Sequence, residues 1–263
     1  CPVYPQRVEV IHQTALVHTG ATLGHNVSVG PFSIIEDGVV LGDDNYVGPH
    51  VVIKSGTEIG SGNRIYQFAS LGEAPQYSGY RNENTQLSIG DRNVIREYAT
   101  LNRGSPAGIG VTRVGNDNFL MAYVHIAHDS VLGDRTIFAN GASLAGHVSV
   151  GDHAILGGFT LVHQFCRIGE HSITGIGAVC LKDVPPFVVA TGNVAEPYGI
   201  NTKGLRRRGF SESAIAALKQ AYRCLYRSSN DLQTALGELQ LLGSKHQEVE
   251  KLSSFVESSE RGI

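Results

Sequence analysis

Two histidines, His125 and His128, stand in the segment Tyr123-Val-His-Ile-Ala-His-Asp129, and the second is followed directly by an aspartate. A histidine beside a carboxylate has the parts of a general base, because imidazole exchanges protons near neutral pH and a carboxylate fixes its tautomer. Imidazole is equally a common zinc ligand, and His147, His153, His163 and His171 follow downstream. Arg206, Arg207 and Arg208 form a run of cations that reads either as a solvated face or as a clamp for a diphosphate, whose oxygens fit the guanidinium fork. The chain has no P-loop and no dinucleotide-type glycine fingerprint, so a nucleotide would have to be held by such side chains.

These residues are positioned by a six-residue repeat. Stepping by six from Ile11 gives Val17, Leu23, Val29, Ile35, Leu41, Val47, Ile53, Ile59, Ile65 and Leu71. The phase resumes at Ile89, Ile95 and Leu101, then shifts by one to Val114, Leu120, Ile126, Leu132, Phe138, Leu144, Val150, Leu156, Val162, Ile168, Thr174 and Cys180. A helix repeats every 3.6 residues and a strand every two, so a strict six calls for one short strand and one corner per hexad. Three hexads then close a triangular coil, coils stack by parallel pairing, and the first residue of each hexad points inward in a parallel β-helix. The register places His128, Gly146 and Gln164, third residues of their hexads and 18 apart, in one column. Gly146 then lies one rung of about 4.7 Å from His128, where a glycine is expected to leave room for a substrate and to present its N–H to a developing oxyanion. Base plus oxyanion donor is the apparatus of acyl transfer. His153 and His171 stack in the same way, and without a third histidine in their column a three-histidine zinc site would need a second subunit.

Two segments break the period, Gly72 to Ser88 and Asn102 to Arg113, and read as loops thrown out of the solenoid, where function tends to sit. After Asp183-Val-Pro-Pro186 the texture changes. Ser211 reads as the N-cap of a helix to about Arg227 with Ile215, Leu218, Ala221, Tyr222 and Leu225 on one face, Asn230 as the cap of a second ending near Gly243, and Gln247 to Ser258 as a third. The division expected is a β-helix over 1–190 and a small helical domain over 191–263, which covers the solenoid's open end. With 21 basic and 24 acidic side chains the net charge is -3, which excludes global attraction to nucleic acid or anionic membrane. No apolar run reaches the roughly 20 residues of a membrane span, so no stable membrane insertion is expected. Cys1, Cys166, Cys180 and Cys224 lack disulfide or metal spacing and read as free thiols of a cytoplasmic protein.

The chain resembles the UDP-N-acetylglucosamine acyltransferases that begin lipid A biosynthesis. The resemblance rests on Ile65-Tyr-Gln-Phe-Ala-Ser70, Ile89-Gly-Asp-Arg-Asn93, His125-Ile-Ala-His-Asp129, Leu144-Ala-Gly-His-Val-Ser-Val150, Val162-His-Gln-Phe-Cys166, Asp183-Val-Pro-Pro186 and Arg207-Arg-Gly-Phe210. It implies a homotrimeric left-handed β-helix with active sites between subunits, no cofactor, and transfer of an (R)-3-hydroxyacyl group from acyl carrier protein to the sugar 3-hydroxyl. It implies His128 as base, Asp129 as its orienting partner and the Gly146 amide as oxyanion donor. His125, His147, His163, Gln164, Asn201, Arg207 and Arg208 become substrate contacts, and Ile176, where long-chain members have Gly, the determinant of acyl-chain length. The sequence departs from the family pattern at Tyr77 and Gly79, where that pattern has Asp and Lys, and at Lys203, where it has Glu; Arg81 is the nearest cation to replace the lysine. The alternatives are the N-acyltransferase of the same pathway, a zinc lyase of the carbonic anhydrase type on the same fold, and a scaffold without activity.

Overall fold

Hexads whose inward residue is aliphatic and whose next residue is often Gly favour strands of two residues separated by sharp corners, and such strands fill the chain from Leu16–Val17 to Val179–Cys180. The computed structural model describes residues 10–263, so Cys1 lies outside the described residues. The strands stack into three parallel sheets, one per edge of the triangle, of nine, eight and ten strands, the last count including a terminal hairpin. The whole is a left-handed parallel β-helix followed by helices. Consecutive rungs pair in register, for example Ile126 with Leu144 and Leu144 with Val162, which places each inward aliphatic over the next. Fully buried side chains such as Ile35, Ile53, Leu71, Leu101 and Ile126 contribute roughly 1.5 to 3 kcal/mol each. The two departures from the pattern are also buried. The Thr174 hydroxyl meets that of Thr160 at 2.8 Å, and burial pushes the Cys180 thiol up to about 12, so it packs as a protonated, weakly polar group.

Corners carry the cost of the fold. Their fourth residue has a positive φ, between 55° and 65° at Phe32, His50, Phe68, Tyr98, Tyr123, Asp129 and His147, a region that side-chain-bearing residues enter at a cost of about 1 to 2 kcal/mol. At the corner after the third sheet, stacking offsets the cost: Phe32, His50, Phe68, Tyr98 and Tyr123 form a ladder of rings with centroids 4.9 to 5.2 Å apart. At the corner after the second sheet, Asp43, Ser61, Asp91, Asn116, Asp134 and Asp152 each accept from the backbone N–H of the rung below at 2.7 to 3.1 Å. A buried ladder of Asn45, Asn63, Asn93 and Asn118 runs beside it, a polar seam in a core otherwise read as aliphatic.

Four elements differ from expectation. Strands extend into both expected loops, since Ser70–Glu73, Gln86–Ile89, Thr100–Asn102 and Val111–Val114 continue the ladders, leaving 74–85 and 103–110 irregular. The open end is closed by an antiparallel hairpin, Val188–Thr191 with Glu196–Ile200, which pairs onto the strand at Ile173–Thr174; the helices pack beside it. A short helix α1, Thr202–Arg207, precedes α2, Glu212–Tyr226, which Ser211 caps as expected, its Oγ accepting from the Ala214 N–H at 3.1 Å. The cap of α3, Leu232–Gly243, is Asp231, because its carboxylate reaches the Thr234 N–H at 2.8 Å while Asn230 turns to Glu238. Helix α4 spans Gln247–Glu257. No helix among the described residues is long and apolar enough to cross a membrane.

Candidate active site

Both interruptions leave the solenoid at one corner, on successive coils. Ser70 pairs with Thr100 and Thr100 with His125, so separations of 30 and 25 residues replace the usual 18, and the next rung of that corner carries His128. The loops therefore abut the candidate base. Tyr77 places its ring 6.2 Å from the His128 ring, and Asn102 and Arg103 tie the first loop to the second through the carbonyls of Ala74 and Gly72 at 2.9 and 3.0 Å. Arg103 also donates to the Tyr80 hydroxyl at 2.7 Å.

His128 and Asp129 meet as the sequence anticipates in position and in more detail than it offers. His128 Nδ1 lies 2.8 Å from Asp129 Oδ2, and the carboxylate side chain is fully buried. The carboxylate also accepts from the Ser105 N–H, from the Ser105 hydroxyl at 2.6 Å and from the Gly110 N–H at 3.0 Å. Burial works against the Asp129 charge, but the Ser105 and His128 hydrogen bonds outweigh it and hold the carboxyl below its ordinary range. With Nδ1 facing a carboxylate, the proton of neutral His128 sits on Nδ1 and Nε2 carries the free lone pair.

Gly146 is buried directly over this ring. A Cβ built there would fall 2.6 Å from His128 Cε1 and 2.8 Å from Nε2, so the room that a glycine leaves is taken by the imidazole itself. At the second corner the N–H in the equivalent position is covered by an Asp, Asn or Ser from the coil above at His25, Asp43, Ser61, Asp91, Asn116 and Asp134, whereas the Gly146 N–H takes no acceptor among the described residues.

His147 stands edge-on to His128 at 5.1 Å, with its Nδ1 3.9 Å from Asp129, and burial lowers its pKa. His125 accepts or donates at 2.7 Å to the Thr100 hydroxyl, and burial and then the His128 charge lower its pKa. His163 and Gln164 are exposed one rung above Gly146, with Arg261 of the C-terminal tail 3.0 Å from His163 Nδ1. His128, Asp129 and His147 bring three metal-capable atoms within 4.8 Å. Yet the Asp129 oxygens are already occupied by Ser105, Gly110 and His128, and a 2.8 Å separation from Nδ1 suits a shared proton. The donor set fits a hydrogen-bonded dyad and does not fit zinc.

The other anticipated residues lie on the remaining corners. Asn201 is buried and committed, its Nδ2 donating to the His171 carbonyl at 2.9 Å and its Oδ1 capping α1. Arg206 pairs with Glu212, and Arg207 is exposed in the last turn of α1. Arg208 folds inward, donating to the His153 carbonyl at 3.2 Å, and its buried Nη1 has no partner among the described residues. Ile176 projects from the third corner and is 86% exposed. Arg81 donates to the Ser78 and Tyr80 carbonyls of its own loop. Tyr77 folds over Gly79, where a Cβ would collide with its ring, so the two departures from the family pattern are one packed pair.

His171 stacks between His153 at 4.6 Å and Phe187 at 5.8 Å, and burial, with His153 and Arg208 adding, drives its pKa from 6.5 to about 4. The unfolded chain binds this proton below about 6.5 and the folded chain does not, so stability falls as pH drops from about 6.5 to about 4, by roughly 3 kcal/mol at most. Urea midpoints measured across that window are expected to drop in the unaltered protein and to flatten in His171→Phe, which keeps the stacking.

Comparison with known proteins follows the same lines. Residues 183–263 match the family described as Udp N-acetylglucosamine O-acyltransferase, domain 2, and residues 112–146 the bacterial transferase hexapeptide family. The acyl-[acyl-carrier-protein]--UDP-N-acetylglucosamine O-acyltransferase of Thiobacillus denitrificans is 62% identical over 253 residues, 96% of this chain and 98% of that protein. The protein of the same name from Herminiimonas arsenicoxydans is 54% identical over 260 residues, 97% and 99% of the two chains. The solved structure of LpxA from Acinetobacter baumannii superposes with a TM-score of 0.95 at 41% identity, covering 97% of this chain and 99% of that one. UDP-N-acetylglucosamine acyltransferase of Francisella novicida gives 0.94 at 40%, with 97% and 93% covered.

Proposed function

The chain belongs to the UDP-N-acetylglucosamine O-acyltransferase family, and from that membership we propose that His128, Asp129 and the Gly146 amide carry its chemistry. The protein moves an acyl group from acyl carrier protein to UDP-N-acetylglucosamine. The observation that supports the assignment is the His128 ring, pinned at Nδ1 by Asp129 and laid with Nε2 against Gly146. Nε2 takes the proton of the sugar 3-hydroxyl as its oxygen attacks the thioester carbonyl of an (R)-3-hydroxyacyl donor. The carbonyl oxygen gains the charge and turns to the Gly146 N–H. Collapse breaks the carbon–sulfur bond, and the carrier thiolate leaves with the proton that His128 returns.

Within one chain the remaining substrate contacts are split among three corners. His125, His147, His163 and Gln164 share the His128 corner, Asn201, Arg207 and Arg208 stand by the second, and Ile176 marks the third. A homotrimer, with the site in the cleft between copies, reunites them: Arg207 and Arg208 then serve the diphosphate, and Asn201 acts by holding α1 in place. The exposed Tyr123, Phe159 and Ile176 along one edge favour such a covered face. A cytoplasmic setting suits the carrier-protein donor and the unpaired Cys166, Cys180 and Cys224. The division into residues 1–190 and 191–263 belongs to the same reading.

Incubation with UDP-N-acetylglucosamine and 3-hydroxyacyl carrier protein is expected to yield an acylated sugar nucleotide, and stoichiometric zinc required for turnover would overturn the reading. Ile176, stacked over Gly158 and Asn140 on the third corner, sets the length of the acyl chain. Each methylene it displaces forfeits about 0.8 kcal/mol of burial, so a few blocked methylenes give strong selectivity. Across a series of donors the unaltered protein prefers a short chain, and Ile176→Gly shifts the preference to longer ones. A preference unmoved by the substitution would remove Ile176 from this role.

A further inference from the structure

Ser105 lies in the second interruption of the repeat, has no exposed surface, and spends both its donors on one carboxylate. Its hydroxyl donates to Asp129 Oδ2 at 2.6 Å, and its N–H reaches Oδ2 at 3.0 Å and Oδ1 at 3.1 Å. From the same loop Gly110 donates to Oδ1 at 3.0 Å, and the backbone passes so close at Gly108 that a Cβ there would strike the carboxylate. From the strand that follows, the Thr112 hydroxyl accepts the Asp129 N–H at 2.9 Å. Asp129 itself sits at a positive φ of 60°, a conformation that needs such outside support. The loop is thus a nest of donors shaped to one charged group, and that group touches the base.

We propose that Ser105 is a positioning residue for the acyl transfer, holding the Asp129 carboxylate ionised and in line with His128 Nδ1; the inference rests on the reading of His128 as base. A carboxylate without the hydroxyl's hydrogen bond is freer to rotate and less well satisfied. The groups facing it are His128 at 2.8 Å and His147 at 3.9 Å, and His125 faces His128 in turn. Loss of the hydroxyl removes one of the hydrogen bonds that hold the Asp129 carboxyl below its ordinary range, so Asp129 takes its proton, and the dyad is broken, at higher pH. The acid limb of kcat/KM therefore shifts upward.

The experiment compares the unaltered protein, Ser105→Ala, Asp129→Asn and the double variant, with Ser105→Cys as a volume-matched control bearing a weak donor. Steady-state rates with UDP-N-acetylglucosamine and 3-hydroxyacyl carrier protein are measured across pH, with melting temperatures alongside. Ser105→Ala is expected to lose roughly tenfold in kcat, the scale of one hydrogen bond to a charged group, with both KM values changed by less than about threefold. Its acid limb moves up, Ser105→Cys recovers part of the loss, and Ser105→Ala costs almost nothing further in the Asp129→Asn background. Equal losses in both backgrounds, or an unmoved acid limb, would overturn the proposal, as would a loss seen only in KM. Failure of the unaltered protein to transfer acyl groups would instead refute the function itself, so the two failures are distinguishable.

Discussion

His128→Ala leaves a folded protein that transfers acyl groups about a hundred- to ten-thousand-fold more slowly, the range for removal of a positioned general base. Folding survives because the ring packs on polar and aromatic neighbours at a corner, His147 and Tyr77 among them, and belongs to neither hydrophobic cluster. Its carboxylate partner keeps the donors from Ser105 and Gly110, so no buried charge is stranded. Kinetics should show the loss in kcat, and circular dichroism and melting temperature should match the unaltered protein. Retention of more than about a tenth of the activity would exclude His128 as the base.

Gly146→Val should be almost as damaging for a different reason. Gly146 is not among the residues with positive φ, so its backbone accepts a side chain without strain. The obstacle is His128, whose Cε1 and Nε2 would lie 2.6 and 2.8 Å from the new Cβ. The ring must leave its seat against the N–H, which separates the proposed base from the proposed oxyanion donor. A fall of roughly a hundred-fold or more in kcat is expected, the scale seen when one oxyanion-hole donor is lost. The nucleotide contacts proposed at α1 and the second corner lie away from this ring, so the dissociation constant for UDP-N-acetylglucosamine should stay within a few-fold. Turnover equal to that of the unaltered protein would refute the stacked arrangement of His128 and Gly146.

The rung relation between those two residues could be counted from the sequence because a period of six admits one register, and a large apolar residue at each hexad start fixes its phase from Val114 to Val162. Where the period stops, so does the counting. Ser105 and Gly110 lie in such a gap, and their hold on Asp129 depends on a loop path that no repeat dictates. One clue was present: Leu71, Leu101 and Ile126 start hexads on the same sheet, so both gaps open at the His128 corner. The terminal hairpin was hidden for a related reason, since Val188–Thr191 borrows the parallel ladder before turning back. Asp231 displaced Asn230 as a cap by one residue, a choice between two good capping types that only side-chain geometry makes. A run of three arginines does not reveal that they part company: Arg206 and Arg207 are exposed while Arg208 turns inward to the His153 carbonyl.

The 18-residue coil also governs how this lineage of sequences can change in length. Deleting or inserting one residue within a coil would slide every later hexad by one step, turning aliphatics outward and polar residues into the core for the rest of the solenoid. Only the two gaps are exempt, because the strands on either side re-enter the ladder whatever length lies between them, as separations of 30 and 25 show. Both gaps overhang the His128 corner. A change of length in either gap would therefore alter what approaches His128 while the scaffold stays fixed.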